Sequence, residues 1–240
     1  DQTAFYVPYG VTMLFYILIV TSASLMMNSV AKEKENRLIE VLISLIKPTQ
    51  LLAGKIFGLC LVGLLQLVIW LGSAIVLLRL GGRVLQIPPE VQLSPSILTW
   101  GVVFFILGYL VYATLMAGVG ALVGTVKEAN QATYFIIIPI LIPLMLIGPI
   151  VANPNSLLSI ILSLIPFTAP NTIMTRMAIS PVPTWQLLLA IGLLIITIIL
   201  LMKGVAGMFR AQYLLTGKKF SLGLFFKAMS GKELRETGEV

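Results

Sequence analysis

No histidine occurs anywhere in the 240 residues, and the single cysteine, Cys60, stands alone inside an apolar stretch. A disulfide framework and a His/Cys metal site are thereby excluded. Charge is scarce as well: Asp, Glu, Lys and Arg make up 10% of the chain, against roughly 25% in soluble domains. There is no Ser/His/Asp set, no paired carboxylates and no Walker-type glycine-rich loop, so the chain cannot hydrolyse ATP unaided. The apolar runs also lack the Asp, Glu, Lys or Arg that ion-coupled pumps and proton relays place within the membrane. An intramembrane enzyme would likewise need facing polar residues that these runs do not show.

What the chain has instead is hydrocarbon. It is 58% hydrophobic, with a mean hydropathy of +1.03, and its uncharged stretches repeatedly exceed the roughly 20 residues that cross a bilayer. The expected fold class is therefore all-α, a polytopic helical membrane protein. Five spans are predicted at about 7–30, 56–78, 97–126, 131–151 and 185–202, forming a transmembrane domain over 1–202 followed by a cytoplasmic tail over 203–240. Phe5, Tyr6 and Tyr9 suit the outer interface of the first span.

Two irregular regions interrupt the spans. Residues 31–46 carry Leu38, Val41, Leu42 and Leu45 at helical spacing, with Glu33, Glu35, Asn36 and Glu40 elsewhere, which predicts an amphipathic helix ended by Lys47-Pro48. It reads either as a surface helix at the headgroups, with Glu33 and Arg37 as an i,i+4 pair, or as a lever docked on a soluble partner. Three acidic residues beside an anionic membrane surface favour a protein face. Residues 153–184 are punctuated by proline and hold a ten-residue apolar piece, 156–165, too short to span, and a second piece carrying Arg176. This predicts a re-entrant or interfacial helix pair.

The basic residues set the orientation. Thirteen Lys and Arg fall on the side of 31–55, Lys127 and the tail, whereas Arg79, Arg83 and Arg176 alone fall on the other. The rich side is expected to be cytoplasmic, which puts the N-terminus outside and implies an upstream membrane segment. The net charge of +7 lies beside the spans without an aromatic-interleaved patch, so membrane lipids and not nucleic acid are its expected partners.

The run Asn28-Ser-Val-Ala-Lys-Glu33-Lys-Glu35-Asn-Arg37-Leu-Ile-Glu40-Val-Leu, with Lys47-Pro48 and Gly54-Lys55, resembles the signature of type-2 ABC exporter permeases. Pro166-Phe-Thr-Ala-Pro170, Arg176 and Pro183-Thr-Trp185 resemble the outer re-entrant motif of the branch that includes sodium-efflux and multidrug permeases. The resemblance, which also takes in Arg210 to Lys219, implies a six-span subunit of a cytoplasmic-membrane exporter, with 31–46 as the coupling helix. It implies as partners an ATP-binding ABC subunit, which holds the ATP and Mg, and a second permease subunit, identical or not. No cofactor is expected in this chain.

On that reading Glu33, Glu35, Arg37 and Glu40 touch the ATPase, and Lys47, Pro48, Gly54 and Lys55 shape the turn into the second span. Pro166, Pro170 and Arg176 belong to the outer segment, with Arg176 either an interfacial anchor or a gate residue. The alternative function is a non-transporting assembly or sensor subunit on the same scaffold. Small residues Ala113, Ala117, Ala121, Gly120 and Gly124 form one helix flank, serving intrachain packing or a dimer or pathway seam. Met13, Met26, Met27, Met116 and Met145 either line an adaptable path or fill the core. Sodium ranks below an amphipathic solute as cargo, because the candidate oxygen ligands Thr125, Asn130, Gln131 and Thr133 gather at one cytoplasmic turn.

Overall fold

In hydrocarbon every backbone N–H and C=O must be satisfied inside the segment or by a protein neighbour, which leaves helices as the solution for uncharged runs of this length. The computed structural model describes residues 3–36, 38, 42, 45–46, 48–85 and 95–214, and among these there is no strand. The elements are α1 (Thr3–Glu35), α2 (Pro48–Leu85), α3 (Pro95–Leu122), α4 (Val126–Met145), α5 (Ile147–Ala152), α6 (Leu157–Leu164), α7 (Ala169–Met177) and α8 (Thr184–Leu214). Five of them, α1, α2, α3, α4 and α8, are long and apolar enough to cross a membrane.

Several boundaries differ from the expected ones, each for a local reason. α1 continues unbroken through Lys32, Glu33, Lys34 and Glu35, so the start of the expected separate helix at 31–46 is the last turn of the first span. Ala, Lys and Glu are strong helix formers and nothing there stops the backbone. α2 opens on Pro48 and runs 38 residues to Leu85, through the Gly81-Gly82 pair read as a loop. Each glycine costs only about 1 kcal/mol in a helix. At ~57 Å, α2 is longer than a ~30 Å hydrocarbon layer.

α4 begins five residues earlier than expected, because Thr125 is an N-cap whose hydroxyl accepts from the Glu128 N–H. The expected fourth span at 131–151 divides at Leu146 into α4 and α5. Pro149 has no N–H for the Met145 carbonyl and its ring crowds that carbonyl, which breaks the helix one turn earlier. The ladder still bridges the bend, with Leu146 N–H on the Ile142 carbonyl at 2.9 Å and Ile150 N–H on the Leu146 carbonyl at 3.1 Å. α8 passes the expected end of the fifth span and continues to Leu214.

The core is organised about α3. Of its most apolar stretch 61% is buried, compared with 22% for α2 and α8 and 17% for α4, which leaves the latter three with broad exposed apolar faces. Phe104, Phe105, Tyr109, Tyr112, Ala113, Met116, Ala117 and Ala121 are fully buried, packed with Leu18, Ile19, Met26 and Met27 of α1. The small residues of α3 therefore serve intrachain packing. A Cβ on Gly120 would lie 2.8 Å from the Met27 carbonyl oxygen, and one on Gly118 would lie 2.9 Å from Val205 of α8. Met26, Met27 and Met116 are core residues, whereas Met145 is exposed.

Candidate functional site

At the charged end, three consecutive residues of α1 attach to three different helices. Successive side chains on a helix point about 100° apart, and here each direction holds a partner. Glu33 forms an ion pair with Lys55 in the second turn of α2, and the Lys55 ammonium also donates to Ser29 Oγ at 3.3 Å. The Lys34 ammonium donates to the Ala121 carbonyl at 2.7 Å, one of the last carbonyls of α3 and without a helical partner of its own. Glu35 Oε2 accepts from the Val126 N–H, the first residue of α4, at 3.3 Å. Cation meets helix C-terminus and carboxylate meets helix N-terminus, the favourable pairing with each helix dipole.

The α3–α4 turn also holds itself together. Glu128 Oε2 accepts from the Gly124 N–H at 2.8 Å while Thr125 caps Glu128. Beyond α1, Asn36, Leu38, Leu45 and Ile46 are exposed. Arg37, Glu40 and Lys47 lie outside the described residues. Pro48 opens α2, and Gly54 sits on its exposed side with open space where a Cβ would be.

The proline-rich end is built differently. Ser156 caps α6, accepting from Ser159 N–H at 3.3 Å, and Pro166 forces Ile165 into extended backbone and ends the helix after eight residues. Pro170, near the start of α7, lies beside Gly108 and Ile19, so close that a Cβ on Gly108 would sit 2.9 Å from both. Counted from Val7 and Ile97, where the spans begin, these positions are ~16–18 Å deep at 1.5 Å per residue. The α6–α7 hairpin thus reaches about halfway into the bundle. The Tyr112 hydroxyl secures it by donating to the Phe167 carbonyl at 2.7 Å, and the Thr12 and Thr175 hydroxyls bond to each other at 2.6 Å.

Arg176 is fully buried inside this hairpin. Its Nε donates to the Pro154 carbonyl at 2.6 Å, Nη1 to Ser163 Oγ at 2.9 Å and Nη2 to Asn155 Oδ1 at 3.1 Å. All three acceptors are neutral. Desolvation lowers the guanidinium pKa from its ordinary value, yet arginine keeps its proton in proteins. A side chain so enclosed cannot act as an interfacial anchor, which needs its head in the headgroup region. Asn171 donates from Nδ2 to the Ile140 carbonyl at 3.2 Å, while its Oδ1 has no partner.

Among the described residues no group of His, Cys, Asp or Glu is placed to hold a metal. An apolar groove of about 420 Å³ opens between α3 and α8, lined by Leu115, Val119, Leu200 and Val205 among others, and its hydroxyl, Thr197, is spent on the Leu193 carbonyl. The oxygen ligands considered for sodium do not converge. Thr125 caps α4, Thr133 donates to Ala129 O and faces Met27 Sδ, each at 3.1 Å, and Asn130 and Gln131 are exposed.

A family model described as ABC-2 family transporter protein matches residues 1–205, most of the chain and both ends of the bundle. The chain belongs to the ABC-2 transporter family. It is 31% identical over 217 residues to the uncharacterised protein MJ1024 of Methanocaldococcus jannaschii, covering 90% of this chain and 49% of that one. It is 28% identical over 218 residues to the uncharacterised protein YhaP of Bacillus subtilis, covering 87% and 51%. The chain spans about half the length of these curated relatives. No solved structure matches it.

Within this ABC-2 chain, the sequence-predicted residues separate into groups. Glu33, Glu35 and Lys55 come together at the charged end, but on intrachain partners. Pro166, Pro170 and Arg176 come together in the hairpin. Lys34, which the surface-helix reading directs to anionic lipid, instead meets the Ala121 carbonyl, and Glu128, Ser163, Asn155 and the Thr12–Thr175 pair carry no role in the sequence reading. The Thr125-x-x-Glu128 spacing is a readable helix-start signal, whereas the others depend on neighbours distant in the chain.

Proposed function

We propose that this chain is the membrane-spanning permease part of an ATP-driven ABC exporter, in which a separate ATP-binding subunit hydrolyses ATP and drives rearrangement of the spans. The observation that carries this reading, beside the family, is the charged end. There α1 passes directly into a segment whose Leu38, Leu45 and Ile46 stay exposed, Leu45 at 76%, while the Glu33–Lys55 pair secures its root to α2. Exposed leucine and isoleucine on a charged segment are suited to a protein groove, and a lever needs a firm root and an uncovered face. The working transporter would contain two permease units and two ATP-binding units, in the cytoplasmic membrane with the charged end facing the cytoplasm.

Because Glu33, Glu35 and Lys55 are engaged within the chain, we assign the docking face to the exposed Asn36, Leu38, Leu45 and Ile46, with Arg37 and Glu40 in the same stretch of sequence. An amphipathic solute is the favoured cargo class, since the interior is apolar and the sodium ligands stay apart.

Co-expression with the cognate ATP-binding subunit, reconstitution in vesicles and measurement of ATP-dependent flux test the reading. Stable association, ATP hydrolysis and movement of an amphipathic dye are expected, with Leu45→Asp abolishing association. Association and hydrolysis without flux of any tested solute would favour the assembly or sensor alternative. No association at all would overturn the proposal.

A further inference from the structure

Glu33, Lys34 and Glu35 together do something that a coupling segment alone does not. An ordinary surface charge cluster would face water, but these three side chains terminate on α2, α3 and α4 respectively. The two bonds of Lys34 and Glu35 straddle Val123–Thr125, the turn between α3 and α4, holding the last turn of one helix and the first amide of the next. That turn is already stiffened by the Glu128–Gly124 and Thr125–Glu128 bonds. A stiff turn gripped from both sides moves as one piece with whatever grips it.

We infer that Glu33, Lys34 and Glu35 are positioning residues that divide a displacement of the adjoining charged segment among α2, α3 and α4, with Lys34 and Glu35 clamping the α3–α4 turn. The inference rests on the permease reading above. The clamp reaches elements that matter: α3 is the core of the bundle, and α4 leads through the Leu146 bend to the hairpin that α3 seats. Farther along, α3 and α4 both meet α7, through Gly108 at the middle of α3 against Pro170 and through Ile140 of α4 against Asn171. The clamp thus has a physical route through α3 and α4 from the charged end to the hairpin.

The test uses the pair's polarity. Lys34→Glu with Glu35→Lys keeps composition and net charge but puts each charge against the wrong helix dipole; Lys34→Gln with Glu35→Gln merely removes both. The full chain, with its ATP-binding subunit in nanodiscs or vesicles, is assayed for association, ATP hydrolysis, solute moved per ATP, and hydrogen exchange across Gly124–Val126. Expected are unchanged association, a fall of about tenfold in solute moved per ATP for the swapped variant with a smaller fall for the neutral one, and faster exchange at the turn in the same order. A purely structural role would accelerate exchange and leave the transport-to-hydrolysis ratio untouched, which overturns the inference. Loss of association in parallel with transport also overturns it, because the residues would then be partner contacts. If the unaltered chain neither associates nor transports, the permease reading fails, and unchanged exchange at Gly124–Val126 in the swapped variant would separately sink the clamp.

Discussion

The two ends of this bundle solve the problem of charge near a membrane in opposite ways. At the charged end Glu33, Lys34, Glu35, Lys55 and Glu128 share their charge with one another and with helix termini, at sites that water still reaches. At the proline-rich end one guanidinium, that of Arg176, is sealed from solvent and satisfied by a carbonyl, a hydroxyl and an amide oxygen. Partly solvated ion pairs contribute little each and can exchange partners at small cost. A buried cation whose acceptors are all fixed cannot do so without leaving desolvated groups unpaired. The first end is tied together by several bonds that water weakens, whereas the second seals one cation inside a hairpin.

The largest effect should come from the buried arginine. Arg176→Leu removes the cation and takes the guanidinium donor from the Pro154 carbonyl and the buried Ser163 hydroxyl, and is expected to destabilise the hairpin by about 3 kcal/mol. Protease protection and thermal unfolding in detergent measure it. Arg176→Lys, keeping charge without the planar fork, should recover only part of the loss. Equal tolerance of Leu and Arg there would erase the contrast between the two ends.

Gly108→Val tests the seat of the same hairpin. Even a Cβ would stand 2.9 Å from the rigid Pro170 ring, so overpacking should cost about 1–3 kcal/mol and loosen α7 from α3. A distance between spin labels on α3 and α7 reads the displacement, and no change would mean that the hairpin is not wedged there.

Smaller effects are expected at the charged end. Lys55→Met and Glu33→Gln should each lower stability by at most about 1 kcal/mol, diminishing with salt, and a double-mutant cycle should give a coupling of similar size. A coupling of several kcal/mol would show that this end is as rigid as the other. Gly54→Ala should be mildly stabilising, by up to about 1 kcal/mol, because nothing lies within 4 Å of the new methyl group. Thermal denaturation would detect it, and destabilisation instead would reveal a contact on that face of α2.

Much of this contrast is foreshadowed in the linear chain. The charge-free runs around Leu18, Phe105, Ile140 and Leu194 announce membrane helices, and Pro166 and Pro170 announce a short hairpin that cannot span. The run from Asn28 to Lys55 announces the family. Harder to read were the interruptions. Gly81-Gly82 reads as a break yet remains helical, because each glycine costs only about 1 kcal/mol in a helix. Leu146 carries no special signal, and the bend there follows from Pro149 acting on the preceding turn. Arg176 reads equally well as an anchor or a gate until its neighbours from residues 154, 155 and 163 are in place.

By itself the sequence determined the class of solvent, the order of the spans, the location of the charged break and the ABC-2 membership, since these depend on local hydropathy and on residues adjacent in the chain. Only the tertiary structure decided that Glu33, Lys34 and Glu35 point to three helices, that the alanines of α3 pack inward, and that Arg176 is buried. Those outcomes depend on which helix stands opposite each side chain. The 3.6-residue period tells which residues share a face of one helix, and the partner across that face comes from the packing of the whole bundle.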